Sequence, residues 1–149
     1  MSQLHLLAER RFWPLFWTQF LGAFNDNLFK NALVILIAYR SMTLLGVGSA
    51  TIVVACAGIF IFPFFLFSAT AGQLADRYPK WILMRWVKVW EICVMVLAGV
   101  GFATDSLALL LAVLFLMGMQ STFFGPAKYA ILPELLDDEN LVGGNALVA

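Results

Sequence analysis

Asp26 is the residue of this 149-residue chain with most chemistry to offer. It lies within residues 16–31, inside the first apolar segment long enough to cross a membrane, residues 12–39. A carboxylate at the centre of such a span costs about 2.5–3.5 kcal/mol on insertion scales. Something must offset that cost, so intramembrane charge points to function first. Spacing sharpens the case. At about 100° per residue, Gln19, Asp26 and Lys30 fall within a stripe of ~40°. Gly22 and Ala23 flank it, so one face is polar or small, suited to a bundle interior or a watery cavity. Asp26 precedes Lys30 by four residues, the favoured order for a helical ion pair. Either the pair neutralises itself at a packed interface, or it meets a substrate or coupling ion. Asn25 and Asn31 point elsewhere and read as interhelical hydrogen bonders.

Lys128 is the second candidate. It shares a face with Ser121 and Gly125 if the helix runs on past Pro126. It either lines a substrate path or snorkels its ammonium to the aqueous edge. Glu91 reads as a partner for Lys88, one turn earlier. The third candidate is residues 72–80, Gly-Gln-Leu-Ala-Asp-Arg-Tyr-Pro-Lys. This reads as a charged turn between two apolar segments, the point where the chain leaves a membrane and re-enters it. Asp76 there can face the positive amino-terminal end of another helix.

The elements that position these residues follow from composition. Apolar residues make up 62% of the chain and charged residues 12%. Soluble domains run about 45–50% and about 25%, so lipid must be the main solvent. About 20 apolar residues span a bilayer as a helix. Four segments qualify: residues 12–39, 49–71, 83–103 and 107–132. Helices are expected because open strands leave unpaired backbone groups in lipid. Pro63 is expected to kink the second helix and Pro133 to end the fourth. Trp81, Trp86 and Trp90 read as interface anchors around the start of the third. A fifth apolar segment opens near residue 143, so the chain reads as the amino-terminal part of a longer bundle. The expected class is an all-α membrane protein.

Other chemistry is poorly supported. Net charge is zero, which gives no electrostatic case for nucleic acid. Cys56 and Cys93 lie in apolar runs with no metal-ligand spacing, and His5 stands alone. No nucleophile sits with a base, and no phosphate loop occurs. No enzyme activity, cofactor or metal is expected within these residues. Arg10 and Arg11 precede a run too long for a secretory signal and lacking a cleavage site.

Residues 72–80 resemble the signature loop of the major facilitator superfamily between its second and third helices. Gly72, Leu74, Ala75, Asp76, Arg77 and Lys80 fall on that pattern; Pro79 replaces the usual glycine and Trp81 the last basic residue. In the superfamily this loop latches the transporter's two halves on the cytoplasmic side. Residues 19–27 and 125–135 are similar to the bacterial lysophospholipid transporter family. The opening from Phe12 is similar to forms fused to an acyltransferase and an acyl-acyl-carrier-protein synthetase. The resemblance implies twelve helices in two halves, and return of lysophospholipids to the inner leaflet of the bacterial inner membrane. It implies that Asp26, Asn27 and Lys128 line the substrate path. Transport of another small solute, or membrane anchoring of a fused acyltransferase, are the alternatives; an anchor has no need of the Asp26 stripe.

Basic residues set the expected orientation. Arg10 and Arg11 precede the first span, and Arg77, Lys80, Arg85 and Lys88 follow the second. The positive-inside rule places both in the cytoplasm. A cysteine introduced at position 78 should therefore react with a membrane-impermeant thiol reagent only from the cytoplasmic side. Labelling of that position in intact cells would reverse the topology.

Overall fold

The computed structural model describes residues 3–149. A short 3-10 turn (Gln3–Ala8) precedes five helices: α1 (Trp13–Tyr39), α2 (Ser49–Arg77), α3 (Lys80–Ala103), α4 (Leu107–Leu135) and α5 (Leu141–Val148). The first four are long and apolar enough to cross a membrane. The expected all-α membrane class is what the chain adopts, and the sequence stripe on α1 has real helical geometry beneath it.

The helices outrun the spans expected from hydropathy. α2 continues to Arg77 instead of ending at residue 71, α3 starts at Lys80 instead of 83, and α4 passes Pro133 to reach Leu135. Hydropathy marks the hydrocarbon, about 30 Å. The 29 residues of α2 extend about 43 Å at 1.5 Å each. Gly72 through Arg77 therefore ride on a helical extension, not in a turn. The break itself is only Tyr78 and Pro79. Pro79 drives the preceding residue out of the helical region, and Tyr78 is extended at φ −110°, ψ 153°. At the other end of the bundle Ser106 caps α4, its hydroxyl accepting from the Leu109 amide at 3.4 Å.

α4 is the axis of the bundle. It is buried from Leu107 to Leu132 on successive turns, with α2 and α3 packed along it and α1 resting on α2 and α4. No Cα atoms of α1 and α3 come within 8 Å among the described residues. One small residue sets the α2–α4 approach. A Cβ at Gly118 would meet the Phe60 backbone carbonyl and lie 3.2 Å from the Pro63 ring. Pro63, expected to kink α2, is buried inside an unbroken α2, and its ring packs at this crossing. Small residues let membrane helices come this close.

Two apolar clusters fill the interior. One joins Phe29, Leu33, Ile37, Ile52, Val94 and Met117 with their neighbours. The other joins Phe12, Leu15, Leu132, Leu136 and Val148 at the opposite end. Trp90 lies ten residues into α3, about 15 Å along the helix from Lys80.

Gly118→Ala should lower the thermal midpoint of the intact protein in detergent, since overpacking typically costs about 1–3 kcal/mol. Gly125→Ala on the same helix is the control. A Cβ there meets nothing within 4 Å, and alanine is the better helix former by about 1 kcal/mol. Equal behaviour of the two variants would show that the α2–α4 crossing does not depend on Gly118.

Candidate functional site

Between the two apolar clusters lies a layer of polar side chains. Asp26 is the central residue of the 27-residue α1, and Ser121 the central residue of the 29-residue α4. Glu91 belongs to the central pair of the 24-residue α3. Three helices thus bring a polar group to the same depth.

The groups are joined. Asp26 Oδ2 accepts from the Ser121 hydroxyl at 3.2 Å. The same hydroxyl also has Gln120 Oε1 within reach at 3.4 Å; its single proton can serve only one acceptor at a time. Gln120 Nε2 donates to Glu91 Oε2 at 3.2 Å. Glu91 Oε2 also holds Lys88 Nζ at 2.6 Å, three residues earlier on α3. Asn25 Nδ2 donates from α1 to Glu91 Oε1 at 3.4 Å. Lys88 further lies 4.6 Å from the centroid of the Phe124 ring. Glu91 is therefore the hub, touched by α1, by α4 and by its own helix. The Lys88 pairing and the interhelical role of Asn25 are as expected from sequence.

Gly22 makes room for this hub, since a Cβ there would stand 2.7 Å from Lys88 Nζ. α1 and α3 enclose a cleft of about 600 Å³ with Asn25, Lys88 and Glu91 on its floor. Such a space is within the usual ~300–1,000 Å³ of ligand sites.

The expected Asp26–Lys30 ion pair does not form. Asp26 turns to Ser121 on α4, while Lys30 lies over the Phe60 ring of α2, 4.3 Å from its centroid. Different neighbours claim the two residues although they share a stripe. Gln19 is half-buried in the same stripe and joins no hydrogen bond of the layer. Asn27 is exposed and donates back to the Ala23 carbonyl of its own helix at 2.8 Å, so it faces away from the layer.

Lys128 does not snorkel. It is buried and donates to the Val148 carbonyl of α5 at 2.9 Å, with Tyr129 4.6 Å from its ammonium. It lies seven residues beyond Ser121, about 10 Å along α4, and the structure does not bring it to Asp26. Of residues 72–80, Gly72 has open space around it, and Asp76 and Arg77 are exposed with no ion pair among the described residues. Lys80 pairs with Glu134 at the end of α4, 2.9 Å away. No group of histidine, cysteine and carboxylate side chains among the described residues could hold a metal ion.

The layer could have been found by one further step from sequence. Glu91, Gln120 and Ser121 each sit near the middle of an apolar span, the same signal that marked Asp26. The local Lys88–Glu91 pairing hid it, because an ion pair one turn apart looks self-sufficient.

Residues 22–149 match the sequence profile of the family described as transmembrane secretion effector, within the major facilitator superfamily. The chain belongs to this family. It is also similar to curated members of the lysophospholipid transporter LplT. One, from Photorhabdus laumondii, is 30% identical over 96 residues, covering 60% of this chain and 21% of the relative. Another, from Cronobacter sakazakii, is 28% identical over 145 residues, covering 95% of this chain and 33% of the relative. The chain thus spans a third or less of the length of these relatives. No solved structure matches it significantly.

Breaking the hub should destabilise the bundle. Glu91→Leu leaves Lys88, half-buried near the middle of α3, without its carboxylate. Removing one partner of a buried pair costs about 3–5 kcal/mol. The double variant Lys88→Met/Glu91→Leu should recover much of that loss. Thermal unfolding of the intact protein in detergent measures both, and equal midpoints for wild type and Glu91→Leu would remove the hub from the fold's support.

Proposed function

We propose that this chain forms the amino-terminal helices of a transporter that moves a lysophospholipid across the bacterial inner membrane by alternating access. The amino terminus and residues 72–80 lie on the cytoplasmic side in this reading, following the basic residues. The observation that supports it most is the polar layer at mid-membrane, with Asp26 held by Ser121 between two apolar clusters. Transporters place substrate and ion sites near the bilayer midplane, and a bundle built only to anchor has no use for charge there. The two relatives named above carry the lysophospholipid substrate in their names.

Asp26 is the residue proposed to meet the cationic part of the substrate or a coupling cation. Low dielectric strengthens such a contact relative to water. The path along α1 runs from Gln19 past Asp26 to Lys30, and Lys128 lies on its α4 side; Asn27, turned to the other face of α1, is left out of it. Gly72, Asp76, Arg77 and Lys80 act as the cytoplasmic gate. Asp76 supports that role because it sits in the last turn of α2, where the helix end carries partial negative charge and disfavours an acid. A positive partner from outside these helices would relieve it. An acyltransferase acting on the delivered lipid, fused or separate, is the partner this reading implies.

Asp26→Asn tests the proposal. Asparagine keeps the size and the acceptor for Ser121 but removes the charge. In the intact protein it should abolish uptake of labelled lysophospholipid into spheroplasts, with membrane level and thermal midpoint unchanged. Wild-type uptake would reduce Asp26 to a packing residue. Absence of lysophospholipid uptake by the wild-type protein, alongside transport of another solute, would identify a different cargo.

A further inference from the structure

Lys30 is the one charge on α1 that the polar layer does not absorb. Among the described residues it has no carboxylate within ion-pair distance and only the face of Phe60 for a partner. Asp26, one turn away, is oriented to Ser121 instead. Lys30 lines a second cavity of about 320 Å³, which shares no lining residue with the cleft at the Glu91 hub. α1, α2 and α4 form its walls through Leu33, Val34, Val53, Ala57, Ile61 and Leu114. Those side chains are aliphatic, and the remaining lining is the Cys56 thiol and the Phe60 ring, so apart from Lys30 the wall is apolar.

A lone ammonium on an otherwise hydrocarbon wall has a narrow range of suitable ligands. An anion would replace the ring contact with a charge-assisted hydrogen bond, which is the stronger interaction. A free inorganic anion would gain nothing from the aliphatic wall and would have to be desolvated to reach it. An alkyl chain alone would gain nothing from Lys30. The molecule that uses both is a single-chain amphiphile with an anionic group next to its chain. We propose that this pocket binds the phosphate of a lysophospholipid at Lys30 and the adjoining stretch of its acyl chain against the α1–α2 wall. This rests on the lysophospholipid reading above and specifies which residues hold the phosphate and chain. It also assigns selectivity: the pocket recognises phosphate whether or not the headgroup carries an amine.

Binding to the intact protein in detergent distinguishes the possibilities. The probes are lysophosphatidylethanolamine, lysophosphatidylglycerol and a monoacylglycerol of the same chain length, which lacks the phosphate. Wild type should bind both lysophospholipids with similar affinity, and the monoacylglycerol at least tenfold more weakly. Lys30→Met should weaken both lysophospholipids about tenfold, to the monoacylglycerol level, without altering monoacylglycerol binding; that unchanged affinity also shows that the variant is folded. Lys30→Arg should retain the preference for phosphate. Ala57→Trp, filling the pocket wall, should weaken long-chain lysophospholipids more than short-chain ones. Equal lysophospholipid binding by wild type and Lys30→Met would overturn the assignment even if Asp26→Asn abolishes uptake. Binding that depends on Lys30, with uptake indifferent to Asp26, would instead uphold the pocket and sink the proposed role of Asp26. Failure of wild type to bind any lysophospholipid would overturn both.

Discussion

Hydrocarbon offers a buried carboxylate no water, and the rest of this structure follows from that constraint. Asp26 and Glu91 both lie at the middle of helices long and apolar enough to cross a membrane, and each must find donors from protein. The Ser121 hydroxyl serves Asp26. Lys88, Asn25 and Gln120 serve Glu91. Those donors come from three helices, so satisfying two acids fixes how the helices stand relative to one another. α4 supplies two adjacent polar residues, Gln120 and Ser121, that reach acids on opposite neighbours. That is a sufficient reason for α4 to be the central and most enclosed helix. Gly118, two residues earlier, brings α2 against its backbone.

The apolar clusters on either side of the polar layer give it its electrical character. Within low dielectric, charges interact far more strongly than in water, and each hydrogen bond matters more because its loss leaves a group with no alternative. The layer also offers more than one set of partners. Ser121 has two acceptors for one proton, and α1 meets α3 only through side chains that span a cleft. A contact made through side chains can be exchanged at lower cost than a packed backbone interface. The α2–α4 side is closely packed at Gly118 and Pro63, whereas the α1–α3 side leaves a cleft.

The membrane edges follow different rules. Arg40 pairs with Asp105 at the end where α1 finishes and α4 begins. Lys80 pairs with Glu134 at the other end. Both pairs are substantially exposed, where ion pairs contribute about 0–1 kcal/mol. They align helix ends but do not hold the bundle together. The 29 residues of α2 are longer than hydrocarbon requires, which is why charged residues 72–77 could be helical although their composition suggested a turn.

The all-α class, the four spans and the mid-span position of Asp26 were legible in the sequence. Each rests on a one-dimensional property: a run of apolar residues long enough to cross hydrocarbon, and a charge placed inside it. The family resemblance was legible for the same reason, since residues 72–80 carry it in their order alone. Partner choice was not legible. Asp26 and Lys30 lie four apart on one stripe, yet one turns to α4 and the other to α2, because a helix stripe about 40° wide can border two neighbours. Glu91 looked complete with Lys88, and only the approach of Asn25 and Gln120 makes it a hub. Lys128 looked close enough to water to reach it, and only α5 buries it. Periodicity determines which residues share a face; tertiary packing decides what each of them touches, because that depends on helices whose positions no local pattern encodes.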